Sequence, residues 1–572
     1  MSAELFDRYV QKHYSRIEHY PPFVQRILIG GFKRFFYDER IETFLYEHRD
    51  DDAKTFIASV LEYFRIAVSV KQNELSHIPS YGRCVVVANH PLGAIDALAL
   101  LHVLLGIRKD VSIVANDFLS SIDNLNEVVI PVDNVNGHVD KKSLRTIYQA
   151  LSEEGMVVIF PAGEVARNAS GTLKDGPWKS GFYKVAKKMR APILPVVIEA
   201  SNTKRFYAVS KLHRSLSTMM LVKEMFHSFD KKIALRIGQP VPYDSYVAGG
   251  VSTKEGVKLF SKHFRRVAKG KKPLLSVQNG IAVAQDPVEV RKALHHASKL
   301  TDLSNGMEVY LYRSDKPSCV IKELGRLREL SFRQVGEGTG KQSDWDRYDL
   351  HYDHIVIWND EAMEIVGAYR VAQGQDVLSR FGFEGLYSHE LFRFDPSFEG
   401  IANEGLELGR SFVHPKYWNS RALDYLWRGI GSYLKANPHI RYLFGPVSLS
   451  NAYTPHARAL IVYFYKHYFG STRRLVFHKA RYKVPRDMER YCEEIFCGSD
   501  YKADFRVLKE ELSYMGFTVP TLYKHYTELC EEGGVRFMDF GYDKDFGYCI
   551  DGFITVDLTR IKANKHQRYF GV

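Results

Sequence analysis

An apolar run that starts at Cys84 and stops before Pro91 most constrains how the first half of this 572-residue chain folds. The run is rich in strand-forming residues, and Pro91 ends it because proline cannot donate to a central sheet ladder. The next apolar stretch, Ala97 to Ile107, is long enough and rich enough in Leu and Ala for a helix. The sequence therefore predicts a strand, a tight turn and a helix, with His90 at the strand end and Asp96 in the first helical turn.

The spacing of His90 and Asp96 suits a general base. If the turn folds back, the carboxylate accepts a hydrogen bond from one imidazole nitrogen and directs the other toward a substrate hydroxyl. The alternative is that Asp96 only favours the helix N-terminus and His90 is an ordinary loop histidine. A second buried-type strand favours the catalytic interpretation, because it also runs into a Pro/Gly turn, where Glu164 and Arg167 stand three residues apart.

Four segments of the first half share their order and spacing with a known family. They are NHPLGAID at 89–96, IFPAGEVAR at 159–167, WKSGF at 178–182 and APILPV at 191–196. Together they resemble the glycerolipid (PlsC-like) O-acyltransferases, in the hemolysin-like branch. The first block differs from the best-known form by one inserted residue, and in the second block the acid lies beyond the glycine. The resemblance implies an α/β O-acyltransferase domain over residues 1–275.

The same resemblance assigns roles to individual residues. His90 would deprotonate an acceptor hydroxyl, Asp96 would orient His90, and Arg167 would bind a phosphate or carboxylate of a substrate. Three further residues are expected to bind substrate: Glu164, Trp178 and Lys179. Thioester cleavage needs no metal because the thiolate leaves readily, so we expect neither a metal nor any other cofactor beyond the acyl thioester itself.

Charge and composition indicate the partners. A net charge of +12 predicts an acidic partner, either anionic lipid headgroups or acyl carrier protein. Nucleic-acid binding is not indicated, since the basic excess is spread out and no recognition motif occurs. The segment Phe23–Tyr37 mixes aromatic residues with three cations, which suits either an interfacial helix or a packing helix.

Cysteine usage and hydropathy indicate the compartment. The six cysteines are scattered without a C-x2-C pair, which predicts reduced thiols and no structural zinc. No apolar stretch approaches the ~18 residues of a membrane span, and the N-terminus lacks the apolar core of a signal peptide. We therefore expect a cytoplasmic protein that is peripheral on the inner face of the cytoplasmic membrane.

A break in composition separates the two halves. Lys269–Pro273 is a basic, proline-ended stretch, and residues 276–305 are predicted to be a linker that contains one helix, Pro287–Ser298. Met307–Tyr312 then begins a new alternating strand. Residues 306–572 are predicted to form a mixed α/β domain. The fold class is therefore α/β in two domains joined by a linker.

The strongest pattern of the second half is a strand over Leu406–His414 with charged residues inserted into it. A turn and a helix from about Asn419 follow, which resembles the acyl-donor-binding unit of the GNAT fold. The usual glycine-rich pyrophosphate loop is missing. That absence fits acyl carrier protein as the donor, because its phosphopantetheine arm carries a single phosphodiester. The segment Gly445–Asn451 suits either hydroxyl donors to the site or a strand end and turn.

Further segments of this half resemble the acyl-homoserine-lactone synthases and the ornithine N-acyltransferases. The resemblance implies carboxylate or phosphate binding by three arginines: Arg328, Arg370 and Arg410. It implies amine binding, or a role as base, for three acids: Asp346, Asp349 and Glu407, of which we assign Glu407 as catalytic. The alternatives are a structural ion pair for Glu407 and Arg410, and a solvated loop or helix start for Asp346 and Asp349.

The order of the two resemblances is that of the bifunctional ornithine-lipid synthases. It implies N-acylation of the ornithine α-amino group by a 3-hydroxyacyl carrier protein, and then O-acylation of the resulting lyso-lipid by a second acyl carrier protein. Two alternatives remain within the enzyme class: the same chemistry on glycine or another amino acid, or acylation of a lysophospholipid. A third, non-enzymatic alternative is a membrane-binding, hemolysin-like protein.

Overall fold

The buried apolar runs of the sequence become the strands of two separate sheets. The computed structural model describes residues 39–115, 119, 122–132, 140–166, 176–202, 229–303 and 306–571. The chain divides into two units, residues 1–283 and residues 284–572. Arg167 and the basic aromatic segment at 23–37 lie outside the described residues.

The first unit is built on a seven-stranded sheet flanked by helices. Its strands are β1 (Ala67–Val70), β2 (Cys84–Ala88), β3 (Val111–Ala115), β4 (Val129–Pro131), β5 (Met156–Ile159), β6 (Ile193–Glu199) and β7 (Lys232–Ile237). Its described helices are α1 (Glu39–Glu47), α2 (Ala53–Tyr63), α3 (Gln72–Leu75), α4 (Ala94–Leu105), α5 (Lys141–Ser152), α6 (Gly181–Met189), α7 (Tyr243–Val247) and α8 (Thr253–Ala268).

Strand β2 lies in the middle of this sheet, whose order is β1-β7-β6-β2-β5-β3-β4. All described pairs are parallel except β6 with β7. Every residue of β2 is fully buried, since both faces of the sheet are covered. Cys84, Val86 and Ala88 pack with α2 and α4 on one face, while Val85 and Val87 pack with α5 and α6 on the other. The result is a sheet between two helical layers.

The second unit is built on an eight-stranded sheet and a short two-stranded one. Its strands are β8 (Ser298–Asp302), β9 (Met307–Tyr312), β10 (Asp353–Asn359), β11 (Glu364–Gln373), β12 (Phe392–Phe394), β13 (Gly405–Val413), β14 (Tyr442–Leu449), β15 (Val476–His478), β16 (Val535–Asp543) and β17 (Cys549–Asp557). Its described helices are α9 (Pro287–His295), α10 (Cys319–Gln334), α11 (Gly374–Phe381), α12 (Glu399–Asn403), α13 (Ala422–Ala436), α14 (Pro455–Phe469), α15 (Arg486–Ile495), α16 (Tyr501–Tyr514), α17 (Thr521–Thr527) and α18 (Ala563–Phe570).

Two neighbouring strands of the larger sheet part from each other. The sheet order is β16-β17-β14-β13-β11-β10-β9-β8, and β13 with β14 is its parallel pair. Pairing between these two strands covers only Gly405–Glu407 with Tyr442–Phe444, although β13 continues to Val413 and β14 to Leu449. Gly445 stands where pairing stops, and a Cβ there would lie 2.1 Å from the Leu408 carbonyl oxygen. The strands open beyond this close approach.

The structure differs from the sequence analysis at one place in the second unit. The segment 276–305 contains its predicted helix, as α9, but also strand β8, which pairs with β9 at the edge of the larger sheet. An edge strand needs little apolar surface. Lys299 and Asp302 therefore interrupt the apolar alternation by which a strand is identified in a sequence. The segment Gly445–Asn451 is the end of β14, which pairs with β17 as far as Leu449, followed by a turn, as one of the two alternatives predicts.

Helix lengths and thiols complete the description of the fold. In the part of the chain that the structure describes, no helix is both long and apolar enough to cross a bilayer. All six cysteines are described, and each is a free thiol.

We expect Gly445→Ala to destabilise the second unit. A Cβ would collide with the backbone carbonyl of Leu408, which cannot move without disturbing β13, and such overpacking costs about 1–3 kcal/mol. Scanning calorimetry of the full chain measures the change. Gly400→Ala in α12 is the matched control, since nothing lies within 4 Å of a Cβ there. Equal unfolding temperatures for the two variants would contradict the expectation.

Candidate active sites

The His90–Asp96 pair forms in the turn that follows β2. His90 Nδ1 lies 3.2 Å from Asp96 Oδ2. The same carboxylate oxygen accepts the backbone N–H of Leu92 at 2.6 Å and of Gly93 at 3.1 Å. Gly93 has a φ of +98°, which a residue with a Cβ rarely adopts, and this lets the turn fold back onto the helix start. The Asp96 side chain is fully buried, whereas 18% of the His90 side chain is exposed.

Backbone and amide contacts hold His90 at the sheet edge. The Asn89 side chain donates to the Ile198 carbonyl at 2.9 Å and accepts from the Ile198 N–H at 2.7 Å, which ties the end of β2 to β6. The His90 carbonyl accepts the N–H of Ala166, from the segment after β5, at 2.8 Å. The loops after neighbouring parallel strands therefore meet at one edge, where α/β sheets place their ligands.

The segment after β5 covers one face of the imidazole. The Phe160 ring stacks on His90 with centroids 4.2 Å apart. Lys179 donates its backbone N–H to the Pro161 carbonyl at 2.8 Å. Its Nζ would lie 3.1 Å from a Cβ placed on Gly163, so the ammonium sits against this turn. Lys179 thus joins the loop that surrounds His90.

Two other predicted substrate-binding residues differ in their surroundings. Glu164 is half-buried, and its Oε1 would lie 3.2 Å from a Cβ on Gly176. The Trp178 ring packs edge-on against Phe182 and Phe264, at centroid distances of 5.6 and 5.0 Å, which are contacts typical of a core side chain. The substrate-binding roles of Glu164 and Trp178 stay predictions, as does that of Arg167.

This arrangement suits proton transfer from a hydroxyl. With Nδ1 directed at Asp96, Nε2 is the nitrogen that would take the proton, and the buried carboxylate would stabilise the imidazolium that forms. Phe160 restricts the orientation of the ring. The first unit therefore brings His90 and Asp96 together at the edge of a buried sheet, and their roles as base and orienting residue stay predictions.

In the second unit, the predicted substrate-binding arginines and aspartates bind one another. Arg328 donates to Asp349 at 2.6 Å and to His354 Nδ1 at 3.2 Å. Arg370 Nη1 lies 2.7 Å from Asp346 Oδ1 and 3.3 Å from Asp349 Oδ2. Burial would raise the pKa of Asp349, but Arg328 and Arg370 outweigh it and hold that pKa below its usual value. These groups form a neutral, buried network.

Arg410 belongs to this network and also reaches a cavity. Its Nε lies 3.1 Å from Asp344 Oδ2, and its Nη1 donates to the Tyr387 hydroxyl at 2.9 Å. Arg410 has a φ of +49° at an irregularity in the pairing of β13 with β11, which points the side chain away from the regular alternation. Sequence reasoning did not select Asp344, although it is the nearest acid to Arg410.

Both oxygens of the Glu407 carboxylate accept hydrogen bonds. Oε1 accepts the Ser388 N–H at 2.7 Å and the Ser388 hydroxyl, and Oε2 accepts the Tyr352 hydroxyl and the Tyr387 N–H at 3.2 Å. Glu407 is 2% exposed, and its burial raises its pKa. The catalytic role assigned to Glu407 stays a prediction. Its contacts suit a positioning residue that joins β13 to the segment at 387–388.

A cavity of about 320 Å³ opens where β13 and β14 part. Its walls include residues 408–413 of β13 and residues 446–448 of β14. Apolar side chains such as Phe412, Leu426 and Tyr526 form much of the wall. Its charged residues are Arg410 and three acids: Glu337, Asp543 and Asp551. A mostly apolar cavity of this size with a few charged groups is typical of a ligand site.

Sequence reasoning did not assign roles to the three cavity acids. Burial raises the pKa of Glu337 to about 7, and it also raises the pKa of Asp543 and, more strongly, of Asp551. The sequence did contain a signal for two of them. Asp543 and Asp551 lie in segments that are otherwise rich in apolar and aromatic residues, and an acid there is unusual because charged residues are seldom fully buried. Glu337 follows α10 in a loop and carried no such signal.

The described residues contain no group of three or more His, Cys, Asp or Glu side chains suited to holding a metal ion. The three cavity acids are thus not such a group. The expectation that no cofactor is needed beyond the acyl thioester stays a prediction.

Two family matches cover most of the chain. Residues 8–269 match the family described as acyltransferase, and residues 327–428 match the acetyltransferase (GNAT) domain. The matches confirm the predicted fold class, an acyltransferase α/β domain followed by a GNAT-like α/β domain. They also fit the two resemblances and their order.

Curated relatives match over large parts of the chain. A glycine Nα-acyltransferase of Phocaeicola vulgatus is 32% identical over 46% of this chain and 83% of its own length. A lyso-glycine lipid O-acyltransferase of the same organism is 25% identical over 39% of this chain and 82% of its own length. An L-ornithine Nα-acyltransferase of Brucella abortus is 31% identical over 24% of this chain and 53% of its own length.

We expect Glu337→Gln to stabilise the protein at pH 8 and to have little effect at pH 5. An acid whose pKa is higher in the folded state binds more protons there, so its contribution to stability falls as pH rises from about 4.5 to about 7. The variant avoids this loss, worth on the order of 3 kcal/mol at pH 8.

Chemical denaturation of the full chain at the two pH values measures the effect of Glu337→Gln. Glu532→Gln, at an exposed position of the same unit, is the control and should change stability little at either pH. A gain for Glu337→Gln of equal size at both pH values would contradict the expectation.

Proposed function

Because this chain belongs to the acyltransferase family that includes the glycine Nα-acyltransferase of Phocaeicola vulgatus, we propose that it builds an amino-acid lipid in two successive acyl transfers. It is an acyltransferase with two units of different fold. The second unit N-acylates an amino acid, and the first unit O-acylates the product. The observation that carries the proposal is that one chain holds both a His90–Asp96 base and a cavity between parted strands of a GNAT-like sheet.

The first transfer takes place in the cavity of the second unit. The neutral α-amino group of the amino acid attacks the carbonyl carbon of a 3-hydroxyacyl thioester. A C–N bond forms, the C–S bond breaks, and one proton of the attacking nitrogen passes to the leaving thiolate. The products are an N-acyl amino acid, which is the lyso-lipid, and a free thiol. Apolar side chains such as Phe412 and Leu426 suit the acyl chain.

Acyl carrier protein is the proposed donor for both transfers. An extended phosphopantetheine arm carries amide groups, and β13 offers an open backbone edge beyond Glu407, where its pairing with β14 ends. The turn between β13 and α13 contains no glycine, so it offers no glycine-rich cradle for a pyrophosphate. The net charge of +12 suits an acidic carrier.

The second transfer uses the site after β2. The 3-hydroxyl of the lyso-lipid gives its proton to His90 while its oxygen attacks a second acyl thioester. A C–O bond forms, the C–S bond breaks, and the imidazolium returns the proton to the leaving thiolate. Asp96 holds the ring and balances its transient charge. Lys179, beside the same turn, is a candidate to bind the carboxylate of the lyso-lipid.

The site of action in this proposal is the cytoplasmic face of the inner membrane. The lyso-lipid is amphiphilic and stays at a lipid surface, where an enzyme with excess positive charge is attracted to anionic headgroups. Two sites in one chain raise the local concentration of the intermediate for the second transfer.

Ornithine is the amino acid that we propose, and glycine is the second candidate. Ornithine follows from the order of the sequence motifs and from the partial match to ornithine Nα-acyltransferases. Glycine is favoured by the relatives that match over four fifths of their length, which act on glycine and on lyso-glycine lipid by their names. The mass of the headgroup decides between them.

We expect expression of the chain in a host that lacks aminolipids to yield a new diacylated aminolipid. In His90→Ala the N-acylated lyso form should accumulate instead, because loss of the general base slows O-acylation by roughly 10²–10⁴-fold. Mass spectrometry of total lipids measures both species and identifies the amino acid.

His102→Ala is the matched control for His90→Ala. His102 lies on the exposed side of α4 in the same unit, and this variant should yield the diacylated lipid. If soluble wild-type protein gave no aminolipid, the proposal would be wrong, and a lysophospholipid would become the preferred acceptor. If His90→Ala gave as much diacylated lipid as the wild type, the role of His90 would be excluded.

A further inference from the structure

Three carboxyl groups face the cavity of the second unit without a basic partner. In the described part of the chain, no ion pair includes Glu337, Asp543 or Asp551, and Arg410 is already paired with Asp344. Glu337 accepts the Ser448 hydroxyl at 3.0 Å, and Asp543 accepts the Asp545 N–H at 2.9 Å. These bonds leave most of their acceptor capacity unused, since an ionised carboxylate offers about four lone-pair sites.

Asp551 is the most poorly satisfied of the three acids. It is 4% exposed and lines the cavity. Among the described residues, the donor to its carboxyl group is the Cys549 thiol, a weak donor at 3.9 Å. A buried carboxylate without a strong donor is costly unless a cation binds it. Its partner is therefore expected to come from outside the chain.

The fold brings the three acids together from separate elements. Asp543 ends β16, Asp551 lies on β17, and the turn between these strands packs against Glu337, because a Cβ on Gly547 would lie 3.2 Å from the Glu337 Cα. On β14, Ser448 is directly opposite Asp551. The acids thus share the cavity wall with β14, one of the two parted strands that receive the acyl donor in the proposed function.

The acids that the sequence indicated for amine binding are already neutralised. Asp346 and Asp349 are paired with Arg370 and Arg328. Glu407 does not line the cavity, and both of its carboxylate oxygens accept hydroxyl and amide donors. An incoming ammonium group would have to break those pairs. The cavity acids can bind an ammonium group without breaking an ion pair.

We propose that Asp551, with Glu337 and Asp543, forms the subsite that binds the α-ammonium group of the amino acid to be acylated, and that one of these carboxylates takes the proton whose loss leaves the neutral, attacking amine. This inference rests on the proposed function of the second unit. The three acids come from three elements of the chain. The positive charge of the bound ammonium group neutralises carboxylates that have no ion-pair partner among the described residues. The subsite places the amino acid beside the opening between β13 and β14.

The test compares Asp551→Asn with wild type in the full chain. Titration calorimetry with ornithine and with glycine, without an acyl donor, measures binding. We expect the Kd of the amino acid that wild type binds to rise by ~10-fold or more, because a charge-assisted hydrogen bond is lost. The KM for the acyl carrier substrate should stay within about 2-fold, since the donor makes no ion pair with this subsite. The unfolding temperature should rise, because a buried carboxylate has been removed.

Controls separate this inference from a structural role and from the proposed function. Asp545→Asn, at an exposed acid in the same turn, should bind the amino acid as wild type does. Glu337→Gln should weaken binding in the same direction, which keeps the test valid if Asp551→Asn does not fold. Unchanged amino-acid binding in these two cavity variants would overturn the inference. Binding without acyl transfer by wild type would contradict the proposed function alone, and no binding at all by wild type would contradict both.

Discussion

The candidate site of the second unit depends on ion pairs between buried arginines and aspartates. Arg328 and Arg370 are almost completely buried, and each is held by the carboxylate of Asp349. Removing one partner of such a pair leaves an uncompensated buried charge, which costs about 3–5 kcal/mol. The network therefore fixes its side chains firmly. Asp346 links this network to Arg410, whose Nη2 lies 3.7 Å from Asp346 Oδ2 and which forms part of the cavity wall.

Both units place their polar groups where a strand ladder ends. In the first unit, Asn89 follows the last residue of β2 and hydrogen-bonds to the backbone of β6, and His90 comes next. In the second unit, the ladder between β13 and β14 stops at Glu407, and the cavity begins one residue later. The interior of a buried sheet has no room for charged groups or substrates, because its backbone groups are paired and both faces are packed. Polar and substrate-binding groups are therefore confined to the places where strand pairing ends or the strands open.

Particular residues show how far the sequence could be interpreted. The turn from His90 to Asp96 was predictable because both residues lie within one short local segment, and local geometry brings them together. The roles of Arg328 and Asp349 were harder to predict, because residue type indicates only that opposite charges attract. Whether two such residues bind a substrate or each other depends on the distance between α10, which carries Arg328, and the segment before β10, which carries Asp349. Strand β8 was missed, since an edge strand does not need the apolar alternation that identifies a buried one.

The sequence by itself determined the fold class, the order of the two units, and the proximity of His90 and Asp96. Those features depend on periodicity, turn residues and short-range spacing, which a linear chain carries explicitly. Only the tertiary structure decided which charges face a cavity, because Glu337 is far in sequence from the hairpin that carries Asp543 and Asp551. Burial and partners decide whether a carboxylate is structural or available to a ligand, and both are properties of packing in three dimensions.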